Sequence, residues 1–146
     1  MTNKHYILIF LISSICVWYG AAFLGQQSIK GSFLELFVND SVNDSVNLVG
    51  KGKAKQYIEA CCKDRDSVIA MLKENGFEVV IYSSPEKVAS LNRHWNSQIE
   101  YDEFISAVSG PPFWQFWDIF CKYEVFLFIE NGKIDRVRAS VDRTMP

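Results

Sequence analysis

Histidine is nearly missing from this chain, and its cysteines lack metal-binding spacing. The 146 residues hold His5 and His94, and four cysteines, Cys16, Cys61, Cys62 and Cys121, with no CxxC among them. A zinc site would have to be assembled from Cys61, Cys62, Cys121 and His94 without ligand spacing, so no metal is expected. There is no Gly-rich phosphate loop, no nucleophile elbow around a serine and no HExxH. There is no basic stripe either. The formal net charge is −2, which argues against a nucleic-acid partner. Nothing in the pattern calls for a cofactor.

The sharpest enzyme hypothesis is a thiolate on Cys61 or Cys62 beside His94 as base. No local signature supports it, and Cys61 and Cys121 both fall on expected core faces, where thiols are usually inert. Glu100, Asp102 and Glu103 cluster near an expected strand start, where solvated carboxylates are ordinary. No catalytic residue is assigned, and a non-enzyme is expected.

Residues 6–24 lack any charge. About 19 helical residues span a hydrocarbon core of about 30 Å. Trp18 and Tyr19 lie near the far end, where amphipathic rings favour the interface. Lys4 precedes the run, so the positive-inside rule puts the N-terminus in the cytoplasm and the rest outside. A cleaved signal peptide shares the charged start, and Gly20-Ala21-Ala22 would serve as its small-residue cleavage site. The run is longer than most signal cores, which favours an uncleaved anchor. A lipoprotein is rejected because Ile15 stands before Cys16. The expected location is a single-pass inner-membrane protein with a periplasmic C-terminal domain; the alternative is a secreted one.

After this anchor (residues 1–25), residues 26–52 read as a connector. Phe33, Leu34, Phe37 and Val38 have the spacing of a short amphipathic helix, placed either as an extension of the anchor or on the membrane surface. A tandem Asn-Asp-Ser-Val repeat from Asn39 reads as polar loop. The domain proper is expected over 53–146. Ala54, Tyr57, Ile58 and Cys61 make one helical face over 53–63. A second helix starts at an Asp64 cap, buries Val68, Ile69 and Leu72, and ends at Asn75-Gly76 with Gly76 left-handed and Phe77 folded back on Leu72. A strand follows over 77–82, then a short helix from Ser84-Pro85 to about Leu91. Residues 92–98 read as loop and 99–108 as strand. The aromatic run 113–120 fits a helical turn or a loop equally, and supplies Trp114 and Trp117 as binding candidates.

Residues 121–142 form the clearest unit, two strands joined at Asn131-Gly132. Cys121, Tyr123, Val125, Leu127 and Ile129 alternate onto one face. A tight two-residue turn would set Leu127 against Arg136. One extra loop residue, as a bulge at Gly132, instead sets Leu127 against Val137 and Val125 against Ala139. That register pairs Phe126 with Arg138 and Phe128 with Arg136 on the other face, where ring and guanidinium can stack. Those four residues are the expected partner-binding surface. Cys61 and Cys121 both point into the expected core, so they are the candidate disulfide, with Cys62 as the other possible partner of Cys121.

The run from Asp64 through Phe77, followed by strands and the Glu130-Asn131-Gly132-Lys133 hairpin, resembles small bacterial envelope proteins of the BamE/SmpA type. The resemblance covers about half the chain and implies two helices on an antiparallel sheet. It carries no site residues across. The expected architecture is α+β: an N-terminal transmembrane helix, then two helices packed on an antiparallel sheet of about four strands. The expected role is a membrane-anchored envelope protein that binds another protein without catalysis, or else a secreted inhibitor or immunity-type protein.

Overall fold

In the computed structural model, residues 3–43, 53–62, 64–95, 99–112 and 121–143 are described. The chain runs α1 (Asn3–Ile29), α2 (Phe33–Asn43), α3 (Lys53–Cys61), α4 (Arg65–Glu74), β1 (Glu78–Tyr82), α5 (Pro85–His94), β2 (Glu103–Ser109), β3 (Cys121–Glu130) and β4 (Lys133–Arg143). The strands form one antiparallel sheet in the order β1-β2-β3-β4. The fold is α+β, as expected, with an apolar N-terminal helix and a four-stranded sheet.

Strand alternation sorts the sheet into two faces. The inner face carries Ile105, Ala107, Tyr123, Val125, Leu127, Ile129, Ala139 and Val141. Against it pack Phe33, Phe37 and Val38 of α2, Ala54 and Ile58 of α3, and Val68 and Leu72 of α4. Phe33 and Phe37 are wholly buried. Their rings meet Phe77 at 6.0 and 5.5 Å, and the Phe37 ring meets Tyr123 at 5.4 Å. The expected connector is therefore corrected over 29–43. Its amphipathic helix lies in the core instead of on a membrane surface, because its apolar stripe packs on Phe77 and Tyr123 over the inner sheet face. α2 also runs through the first Asn-Asp-Ser-Val copy, which was expected as loop; most of the second copy lies outside the described residues.

The α4 ends follow from local chemistry. The Asp64 carboxylate accepts from the Ser67 amide at 2.9 Å, and the Ser67 hydroxyl lies 3.2 Å from the Asp64 amide, closing a capping box. At the other end Gly76 sits at φ +80. The Phe77 amide reaches back to the Leu72 carbonyl and the Gly76 amide to Lys73, each at 3.0 Å. This is the Schellman ending the sequence predicts. Only glycine takes that φ without a cost of about 1 kcal/mol or more.

The hairpin register is the expected one: Phe126↔Arg138, Leu127↔Val137 and Phe128↔Arg136. Its mechanism differs. Asn131 (φ 52) and Gly132 (φ 74) make a tight two-residue turn, and Glu130 pairs directly with Lys133. The extra residue is Asp135, skipped between the Ile129↔Ile134 and Phe128↔Arg136 pairs. A bulge in β4 thus does the work that the loop was expected to do.

α5 runs one turn further than predicted, to His94, with Trp95 as its C-cap. Val88, Leu91 and Trp95 lie at i, i+3 and i+7, and this stripe packs on the outer face of the sheet. Tyr101, inside the strand expected over 99–108, precedes β2 and joins this outer cluster.

Candidate protein-binding face

The outer face of the β3–β4 hairpin is where the sequence places its partner surface. Phe126, Phe128, Arg136 and Arg138 do share that face. The Arg136 guanidinium lies 5.2 Å from the Phe128 ring centroid. Arg138 does not take the Phe126 ring; it lies 4.8 Å from the ring of Trp95. Both are cation–π distances.

Phe128 corrects the expectation. It is 0% exposed, enclosed by Phe104 at 5.4 Å, Tyr101 at 5.1 Å and Trp95 at 5.6 Å between ring centroids. With Val88 these rings make a second small core between α5 and the sheet. A loop over 92–98, as expected from the sequence, would not supply this cover; Trp95 does so because α5 reaches it. The signal was present in the Val88, Leu91, Trp95 spacing. What stays accessible is Phe126, half-buried and 5.4 Å from Trp95, with Arg136 and Arg138 exposed. A groove of about 280 Å³ runs here, lined by Trp95, Ser106, Glu124, Phe126, Arg138 and Ser140. Trp114 and Trp117, the other candidates, lie outside the described residues.

At the hairpin end, a polar cluster ties the helices to the sheet. Arg65 grips Glu103 with two donors, Nε at 2.5 Å and Nη2 at 2.8 Å, and touches Asp66 at 2.8 Å. The hydrogen bond to Glu103 raises the Arg65 pKa further, so the guanidinium stays charged. Beside it, a cleft of about 540 Å³ is lined by Lys55, Ile58, Cys62, Arg65, Lys133 and Val137. Its polar groups are largely committed to structure. Arg65 holds Glu103, the Lys55 ammonium donates to the Asp135 carbonyl at 2.9 Å, and Asp64 caps α4. The Asp64 carboxyl lies below its ordinary pKa because the Ser67 amide donates to it.

The cysteine expectation is also corrected. The structure joins Cys61 to its neighbour Cys62, and Cys121 is in no disulfide. Cys61 ends α3 past the buried Ala54 and Ile58, at a position turned to solvent, while Cys121 is 2% exposed on the inner face. The helical stripe leaves the core one turn earlier than periodicity implies. His94 is exposed on α5, on the opposite side of the sheet from α3, and stacks edge-on against Trp95 at 5.2 Å. The sheet stands between it and Cys61 or Cys62, so the thiol–imidazole pair is not assembled. Among the described residues, no group of three or more His, Cys, Asp or Glu is placed to hold a metal ion.

No family model, no curated protein and no solved structure matches the chain.

Proposed function

We propose that the protein is a single-pass membrane protein whose C-terminal domain lies outside the cytoplasm and binds another protein without catalysis. The observation that carries this reading is α1. Its 25-residue stretch His5–Ile29 is apolar enough to cross a bilayer, and none of its most apolar window is buried against the domain. Large side chains along it, the half-buried Trp18 and the buried Ile29 excepted, are half to three-quarters exposed, from Ile9 at 50% to Val17 at 73%. So much apolar surface calls for lipid. The helix is also fastened to the domain. Ile29 joins the core, and the Tyr57 hydroxyl donates to the Gly31 carbonyl at 3.1 Å. The domain therefore sits against the membrane surface, where the exposed Arg136, Arg138 and half-buried Phe126 offer a partner an aromatic and arginine contact of the kind that anchors interfaces. The envelope setting rests on Lys4 before the span and on the resemblance to small envelope proteins.

A secreted form is the second reading, favoured by the N-terminal position of α1. Expression of the full chain with a reporter active only outside the cytoplasm, fused after Pro146, tests both. Reporter activity with the product retained in carbonate-washed membranes at full mass is expected. A soluble product beginning near Phe23 would replace the anchor with a signal peptide. An inactive reporter would reverse the topology.

A further inference from the structure

The two edges of the sheet are built differently. β4 is guarded as edges usually are: it carries Lys133, Arg136 and Arg138, and the Asp135 bulge breaks its ladder. β1 has neither bulge nor proline nor lysine; its sequence is Glu-Val-Val-Ile-Tyr. Among the described residues outside α1, the exposed large apolar side chains are Val80 at 43%, Ile81 at 41% and Ile99 at 40%. Two of the three are adjacent on β1. Among the described residues, β1 pairs only with β2, so its other side presents a row of backbone donors and acceptors.

We propose that β1 pairs antiparallel with β1 of a second copy of this chain, joining two four-stranded sheets across a two-fold axis at Val80. The strand is self-complementary about that point. Val80 meets Val80, Val79 meets Ile81, and Glu78 meets Tyr82 of the other copy. Val79 and Ile81 lie on the inner face, so their pairing continues the core side of both sheets. On the outer face the Tyr82 ring already holds the Lys87 ammonium 5.7 Å from its centroid. Each Glu78 thus arrives beside the Lys87 of the other copy, twice about the axis, and the two Glu78 stay apart. A one-residue slip would lose this and turn Val80 against the inner face. The pairing does not depend on α1 crossing a membrane, so its failure and the failure of the anchor reading are separate results.

The test uses the full chain in detergent micelles, with Cys16→Ser to remove the exposed thiol of α1. In that background Val80→Cys should oxidise to a covalent dimer. Cross-strand Cα atoms at the dyad lie about 4.5–5.5 Å apart, within disulfide reach. Glu78→Cys, four residues from its own counterpart, should not. By sedimentation the otherwise unaltered chain should dimerise and Val80→Lys should leave a monomer with its far-UV spectrum unchanged. Glu78→Lys should weaken the dimer roughly tenfold, since the like-charge contact occurs twice, and adding Lys87→Glu should restore it. A chain monomeric at all concentrations overturns the proposal. So does a dimer that survives Val80→Lys, and so does a Val80→Cys chain that forms no covalent dimer on oxidation.

Discussion

Tyr101 reaches under β3 and donates its hydroxyl to the Asp135 carboxylate at 3.0 Å. Asp135 is the bulged residue of β4, and its carbonyl takes the Lys55 ammonium of α3 at 2.9 Å. One extra residue in a strand therefore fastens both layers: the outer aromatic cluster through its side chain, the inner helices through its backbone. Bulges re-aim side chains in this way.

The first prediction follows from that bond. Burial, then the hydrogen bond to Asp135, raises the Tyr101 pKa above its ordinary value near 10.0. The folded state thus holds this proton more tightly than the unfolded chain. The stabilisation is complete below about pH 10 and is lost as pH rises through the folded value. Tyr101→Phe should cost about 1–2 kcal/mol at neutral pH. In urea titrations the gap between the two proteins should narrow above pH 10. A gap constant up to pH 11 would mean that the hydroxyl is not bound to Asp135 in the folded protein.

Burial separates the two phenylalanines of the hairpin. Phe128 is enclosed on every side, and Phe128→Ala should cost about 3–5 kcal/mol, enough to unfold a marginal domain. Phe126 is half-buried and Arg138 exposed. Arg138→Ala should leave the melting temperature within a few degrees while weakening capture of a crosslinked partner, as loss of an interface arginine does. Equal melting losses for Phe128→Ala and Arg138→Ala would contradict the burial difference. Unchanged capture by Arg138→Ala would remove this face as the binding surface.

The parts of this fold legible in the sequence are those governed by neighbours along the chain. Asp64 and Ser67, or Leu72, Gly76 and Phe77, lie within one or two helical turns, so local stereochemistry decides them. The β3–β4 register was legible because a slip would have put Arg136 against the core. The binding face was half legible. Alternation put Phe126 and Phe128 on one side of the strand, but whether that side meets water depends on α5, more than thirty residues earlier. Trp95 could cover Phe128 only if the helix passed Leu91, and no cap or glycine near Asn92 marks its end. For the same reason α2 read as a linker. Its amphipathic face fits a membrane surface and a sheet equally, and only its contacts with Phe77 and Tyr123, distant in the sequence, decide.

The cysteines give the last prediction. Periodicity sets Cys61 on the same stripe as Ala54 and Ile58, which would aim it at Cys121. Helix α3 ends at Cys61, however, and the stripe has left the core by then: Ile58 is 2% exposed, whereas Cys61 faces solvent. A Cys61–Cys121 bond would need their Cα atoms within about 7 Å and both sulfurs in one interior. The structure instead joins Cys61 to Cys62. Tryptic digestion of the unreduced, alkylated protein should give a single peptide holding both, lighter than its reduced form by two hydrogens. The peptide holding Cys121 should be linear. In the native state Cys121 should resist alkylation, because it lies 2% exposed beneath the helices, and it should react once the chain is unfolded. A crosslinked pair of peptides containing Cys61 and Cys121 would restore the long-range bond and require α3 to lie closer to the start of β3.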